Sequence, residues 1–165
     1  MAKMKTKSTL RRLRILLTLV LGIVLTGSPL AGETSAKHDL SAEIKTFDSY
    51  TKDFHAALQS VHGEEFESAN YLQELSAKVS ERLTSLKYTL KIYDSISCKS
   101  DRETVKALVK DQLAMNAYLI NSDADTLLGM LAFVKVPATA QMGLKLKDDM
   151  RATKERLDSI AASLD

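Results

Sequence analysis

The side chains with the greatest capacity for chemistry are three histidines and a single cysteine. The histidines are His38, His55 and His62, and the cysteine is Cys98. His62 stands three residues before Glu65, and an imidazole and a carboxylate are both ligands that Zn²⁺ accepts. A solvated loop histidine is nevertheless the favoured interpretation, and a weak metal site formed by His62 and Glu65 in a turn is the alternative.

The motifs that would place such groups in a catalytic site are missing from the sequence. It contains no Gly-x-Ser-x-Gly, no His-Glu-x-x-His and no glycine-rich phosphate-binding loop. It also lacks the Glu-x-x-His pairs of di-iron bundles, and a single cysteine excludes covalent haem attachment through Cys-x-x-Cys-His. We therefore predict a protein that is not an enzyme and that holds no cofactor.

Cys98 has no second cysteine with which to form an internal disulfide. In an oxidising compartment an unpaired cysteine points to an intermolecular disulfide or to a reactive thiol. A half-buried small side chain with no such role is the favoured interpretation, and the intermolecular disulfide or reactive thiol is the alternative.

Helices are the elements predicted to carry these residues. After Gly32 the chain contains one proline, Pro137, and three glycines, Gly63, Gly129 and Gly143. No Asn-Gly or Asp-Gly hairpin signal occurs. Apolar residues instead recur at steps of three and four, which is the period of an amphipathic helix.

Four helices follow from these steps and from the turn residues between them. The first spans residues 38–61 and ends at a Gly63 cap, and the second runs from residue 64 to about 97. A capping box formed by Ser100 and Glu103 opens the third helix, and Pro137 opens the fourth at its first turn. Residues 121–125 are rich in cap-forming types, so a third helix split near Asn121 is the alternative.

Each predicted helix has an inward-facing stripe. In the first it is Leu40, Ile44, Phe47, Thr51, Phe54, Leu58 and Val61, and in the second Leu72, Leu75, Val79, Leu83, Leu86, Leu90 and Tyr93. In the third it is Val105, Leu108, Val109, Leu113, Leu119 and Ile120, and in the fourth Leu146, Met150, Thr153, Leu157, Ile160 and Leu164. Coiled-coil-like stripes joined by short turns predict an all-α fold, an elongated antiparallel up-down-up-down four-helix bundle formed by residues 33–165 as one domain.

A bundle core could also carry a ligand, and this is the alternative function. A carrier of haem, of a metal or of a small apolar molecule would use the space between the helices. The candidate axial ligands for a non-covalent haem are His55, Met115, Met130, Met142 and Met150. Methionine at helical spacing is more often core filler, because its flexible thioether fills irregular gaps.

Residues 127–134, with the sequence LLGMLAFV, form a run without a polar side chain. An amphipathic helix needs only one apolar stripe, so this run is either buried on every side or meets a partner. The predicted partner-binding residues are Leu128, Met130, Leu131 and Phe133. The partner would be another envelope or extracellular protein, or a second copy of this chain.

The N-terminal segment has the pattern of an export signal. Six basic residues precede Ile15, eleven largely apolar residues follow to Leu25, and Gly27, Ser28 and Pro29 come next. We predict a signal peptide over residues 1–32 and a periplasmic or secreted protein. An uncleaved anchor, which would be the protein's only contact with a membrane, is the alternative.

Removal of this segment changes the net charge from positive to negative. The six basic residues leave 17 of the 23 Lys and Arg against all 21 Asp and Glu, a net charge of −4. A net acidic chain gives no reason to expect nucleic acid as a partner. The sequence therefore favours an exported, non-enzymatic binding or scaffold protein that acts through helix faces.

Overall fold

The computed structural model describes residues 39–164, and in them the chain forms four α-helices and no β-strand. We number these helices α1 (Ser41–Leu58), α2 (Glu64–Ser95), α3 (Lys99–Leu131) and α4 (Pro137–Ser163). The predicted all-α fold is confirmed. The predicted signal peptide lies outside the described residues.

Contacts between side chains establish that neighbouring helices run antiparallel. Between α1 and α2, the Thr51 and Ser76 hydroxyls are 2.8 Å apart and Ser80 donates to Asp48 at 2.5 Å. Earlier residues of α1 thus contact later residues of α2, so the two helices are antiparallel. The topology is up-down-up-down, as predicted for a four-helix bundle.

Two further helix pairs have the same antiparallel sense. Arg82 of α2 pairs with Asp123 of α3 at 2.7 Å, and Asp94 lies 3.5 Å from Arg102. The first and last helices are joined by the Glu43–Arg156 ion pair and by the Tyr50 hydroxyl, which donates to Asp149. Each helix therefore has a polar connection to at least one neighbouring helix.

The core is formed by the stripes of all four helices. The seven predicted stripe residues of α2 and the six of α4 are all buried, because each set keeps one face of its helix turned to its neighbours. Of the first predicted stripe, Phe47 and Phe54 in α1 and Leu40 at its N-cap are fully buried. Burial of each large apolar side chain contributes about 1.5–3 kcal/mol relative to leaving it in water.

The alternative of a third helix split near Asn121 is wrong, because α3 is continuous from Lys99 to Leu131. Asn121 donates to Asp125 one turn further on, at 3.1 Å, and Asp123 pairs with Arg82. Ala124 between them is fully buried. The Asn121, Asp123 and Asp125 side chains bond across the helix surface or to α2 and α4, and these contacts are compatible with a continuous helix.

Two predicted helix caps are wrong. α3 begins at Lys99, with Cys98 at the N-cap position and without a side-chain capping bond, so Ser100 lies within the first turn and forms no capping box with Glu103. Gly63 has the positive φ, 66°, that favours glycine. It is the N-cap of α2 rather than the C-cap of α1, which ends at Leu58.

Candidate partner-binding surface

Glu65, which the sequence pairs with His62 as a weak metal candidate, holds a turn in place. Its Oε1 accepts hydrogen bonds from the backbone amides of Lys135 and Val136, at 2.8 and 3.0 Å. His62 is exposed in the turn before α2. Within residues 39–164, no group of three or more histidine, cysteine, aspartate or glutamate side chains could hold a metal ion.

The other candidate ligands lie in different surroundings. His55 is exposed on α1, with Nδ1 3.3 Å from the amide nitrogen of Gln73. Met150 is fully buried in the core, whereas Met115 is exposed on α3. His55 is thus in contact with solvent, whereas Met150 lies in the core.

Cys98 is a free, exposed cysteine at the turn between α2 and α3. Its exposure is compatible with the predicted intermolecular disulfide. The structure contains no partner thiol for it, since the sequence has only this one cysteine.

The apolar run of residues 127–134 is divided between core and surface. Leu127 and Leu131 are buried, one turn apart on the inner face of α3. Leu128 is 46% exposed, and Phe133, in the turn after α3, is 82% exposed. The run is therefore neither wholly buried nor wholly exposed, and only its exposed residues are available to a partner.

Leu131 must be removed from the predicted partner-binding set. Its side chain packs against Gly143 of α4, where a Cβ atom would come within 2.4 Å of Leu131 Cδ2. The absence of a side chain at Gly143 is what allows the two helices to enclose Leu131. Met130 is partly exposed and stays in the set with Leu128 and Phe133.

Leu144 is an exposed residue of this region that the sequence reasoning missed. It lies on α4 directly after Gly143 and is 41% exposed. The Asp125–Arg151 ion pair, at 2.9 Å, and the Leu131–Gly143 contact fix the register of α3 against α4. Leu128 and Leu144 both fall between these two contacts, at the closed end of the same helical hairpin.

We call Leu128, Met130, Phe133 and Leu144 the hairpin-end surface. Its turn is held at both ends. Phe133 donates its amide to the Met130 carbonyl at 3.0 Å, and the Lys135 and Val136 amides are bound by Glu65. Pro137 then starts α4 at its first position, where a missing amide proton costs nothing. The position of Phe133 is thus fixed by the fold.

An exposed ion pair lies beside this turn. Lys135 Nζ is 2.5 Å from Glu64 Oε2, and the hydrogen bond and charge of Lys135 lower the pKa of the Glu64 carboxyl. The same contacts raise the pKa of Lys135. Protein–protein interfaces have an apolar centre and a polar rim, and this ion pair would belong to such a rim.

No family model matches the chain, and neither a curated protein nor a solved structure matches it significantly. In residues 39–164, none of the helices combines the length and the apolar character needed to cross a membrane.

Proposed function

We propose that this protein is an exported, non-enzymatic binding protein whose hairpin-end surface docks another protein of the cell envelope or the extracellular space. The observation that carries the proposal is the exposure of Phe133, which is 82% open to solvent in a turn whose backbone Glu65 holds. An exposed aromatic side chain on a fixed backbone is the kind of residue that dominates binding energy at protein interfaces.

The neighbouring side chains support a protein partner. Leu128 and Leu144 add exposed apolar area on the two helices of the same hairpin, and Met130 supplies a side chain that adapts its shape to a partner. Because the turn is already ordered, this protein would lose little conformational entropy when a partner binds. Export is proposed from the basic and apolar pattern of residues 1–32.

The proposal is tested by comparing co-purification of wild type and variants from the envelope fraction of cells that produce the protein. Phe133→Asp and Leu128→Asp should each abolish recovery of the partner while circular dichroism stays that of the wild type. Tyr88→Ser is the matched control, because Tyr88 is 66% exposed on α2, away from this hairpin. A partner that is retained by both Asp variants would refute the proposed surface.

Self-association is separated from binding to another protein by light scattering of the purified wild type. A monomer supports a different protein as the partner. A dimer that Phe133→Asp converts to a monomer would mean that the surface binds a second copy of this chain.

A further inference from the structure

A second row of exposed residues follows the outer side of α3. It consists of Thr104, Leu108, Asp111, Met115, Tyr118, Ser122 and Asp125, and every member is exposed. The steps between them are 4, 3, 4, 3, 4 and 3 residues, which keeps all seven on one face of a helix. We call this row the outer α3 stripe.

The outer α3 stripe faces away from the core. The buried residues of α3 form a separate row, namely Val109, Leu113, Ala117, Ile120, Ala124, Leu127 and Leu131. Leu108 had been expected in that row, but it is exposed. A helix that has already buried one stripe normally carries charged and polar residues on the opposite face, so apolar residues there need another explanation.

The middle of the stripe is apolar and accessible. Tyr118 is 69% exposed, and Met115 and Leu108 lie about one and three turns before it on the same face. Ala107 and Ala114 are exposed beside Leu108 and Met115, and such small side chains permit another helix to approach closely. From Thr104 to Asp125 the stripe extends over about 30 Å at 1.5 Å per residue, which is the length of an ordinary partner helix.

The charges of the stripe indicate which helix would fit. Its only charged members are Asp111 and Asp125, and neither a lysine nor an arginine belongs to it. Asp125 already pairs with Arg151 of α4 at 2.9 Å. Asp111 makes no ion pair with any residue in the described part of the chain, so it is the charge that a bound helix would have to meet.

We propose that the outer α3 stripe binds an amphipathic helix of another protein whose apolar seam is flanked by lysine or arginine. A basic residue beside the seam would pair with Asp111 while the apolar side chains cover Leu108, Met115 and Tyr118. A second copy of this chain fits less well, because an antiparallel pair of α3 helices would bring two Asp111 carboxylates into one interface with no basic group in either stripe. An anionic membrane surface is disfavoured by the same acidic charge.

This binding site is centred on a different part of α3 from the hairpin-end surface and extends beyond the proposed function. Met115 and Phe133 are 18 residues apart along the chain, and α3 rises about 1.5 Å per residue. A protein with both sites would hold two partners at once, one at each surface, which is the action of a scaffold.

The test uses the folded protein and two synthetic helical peptides of about 21 residues, the length of three heptads. Both have leucine at positions a and d; one has lysine at positions e and g, and the other has glutamate there. Fluorescence anisotropy at low salt should show binding of the lysine peptide about tenfold or more tighter than that of the glutamate peptide. This preference should fall as salt is added, because it is electrostatic. Equal affinity for the two peptides would overturn the proposal without recourse to any variant.

Substitutions then locate the peptide on the protein. Met115→Ser and Tyr118→Ser should each weaken binding of the lysine peptide by about tenfold, and Asp111→Lys should reverse the preference in favour of the glutamate peptide. Tyr88→Ser and Phe133→Asp should leave peptide binding unchanged, so failure at this site is distinguishable from failure of the hairpin-end surface. Binding that survives Met115→Ser and Tyr118→Ser, or a wild-type dimer that these changes dissociate, would overturn the proposal.

Discussion

Gly143 of α4 lies so close to Leu131 of α3 that a Cβ on the glycine would approach Leu131 Cδ2 to 2.4 Å. Real Cβ atoms do not approach a carbon so closely, so one of the two helices or the leucine side chain would have to move. The contact determines how tightly α3 and α4 pack at the turn end of their hairpin. It also fixes which face of residues 127–134 is turned to solvent.

Gly143→Ala is therefore expected to destabilise the protein by about 1 kcal/mol. Overpacking of a core costs about 1–3 kcal/mol, and the better helix propensity of alanine offsets about 1 kcal/mol of it. Gly129→Ala is the matched control, because no atom lies within 4 Å of its added Cβ. That change should stabilise the protein by about 0.5–1 kcal/mol. Urea denaturation measures both, and equal effects of the two substitutions would contradict the packing described for Gly143.

Leu131 and Phe133 should respond in opposite ways to the same substitution. Leu131→Asp places a carboxylate in the core and should cost at least about 3 kcal/mol of unfolding free energy. Phe133→Asp changes a solvated side chain and should alter stability by no more than about 0.5 kcal/mol. Thermal denaturation followed by circular dichroism compares the two. A similar loss of stability in both variants would return Phe133 to the core.

The Glu65 carboxylate should stabilise the turn between α3 and α4 measurably. Glu65→Ala removes the acceptor for two backbone amides and is expected to cost about 1 kcal/mol, the usual effect of losing a helix cap. Glu67→Ala, an exposed change in the same first turn of α2, removes a similar charge without these bonds and should cost less. The difference in denaturation midpoint between the two variants is the measurement, and no difference would mean that Glu65 does not hold the turn.

Because of Tyr50, the free energy of unfolding should decrease at alkaline pH. Burial raises the pKa of Tyr50 above its ordinary value of about 10, and the hydrogen bond to Asp149 and the charge of that carboxylate raise this pKa further. The folded chain thus keeps the phenol proton at a pH where the unfolded chain has released it. This stabilisation is complete below about pH 10 and is lost as the pH rises toward the folded-state pKa.

Tyr50→Phe should accordingly cost about 1 kcal/mol at neutral pH, from the lost hydrogen bond. The difference in unfolding free energy between Tyr50→Phe and wild type should narrow above about pH 10, because only the wild type loses this stabilisation there. Denaturant titrations across the alkaline range measure it, with Tyr88→Phe, at an exposed tyrosine of α2, as the control. A difference that stays constant over that range would show that the Tyr50 proton is not linked to folding.

The sequence was sufficient to predict α2 and α4 because their buried faces consist of large apolar residues at regular steps. In α3 the buried face includes Ala117 and Ala124, and alanine is equally common on either side of a helix. The pattern therefore included Leu108, which is exposed, and omitted both alanines. The continuity of α3 through Asp123 depends on its ion pair with Arg82 of α2, and such long-range contacts leave no local signal.

The candidate surface was predictable only in part for a related reason. Every residue from Leu127 to Val134 is apolar or glycine, so the run has no polar residue to mark its outer face. Because α3 ends at Leu131, Phe133 lies outside the helix, and helical periodicity does not predict its exposure. Leu144 does not belong to the predicted inward-facing stripe of α4. That position outside the stripe was the one available signal that Leu144 is exposed.

Placing a photo-reactive phenylalanine analogue at position 133, in cells that produce the protein, tests the proposed function most directly. Irradiation should join the chain to one partner protein in good yield, and the same analogue at position 88 should give no such product, since Tyr88 lies on α2 away from the hairpin-end surface. Absence of a product at position 133, or the same product at both positions, would contradict binding through this surface.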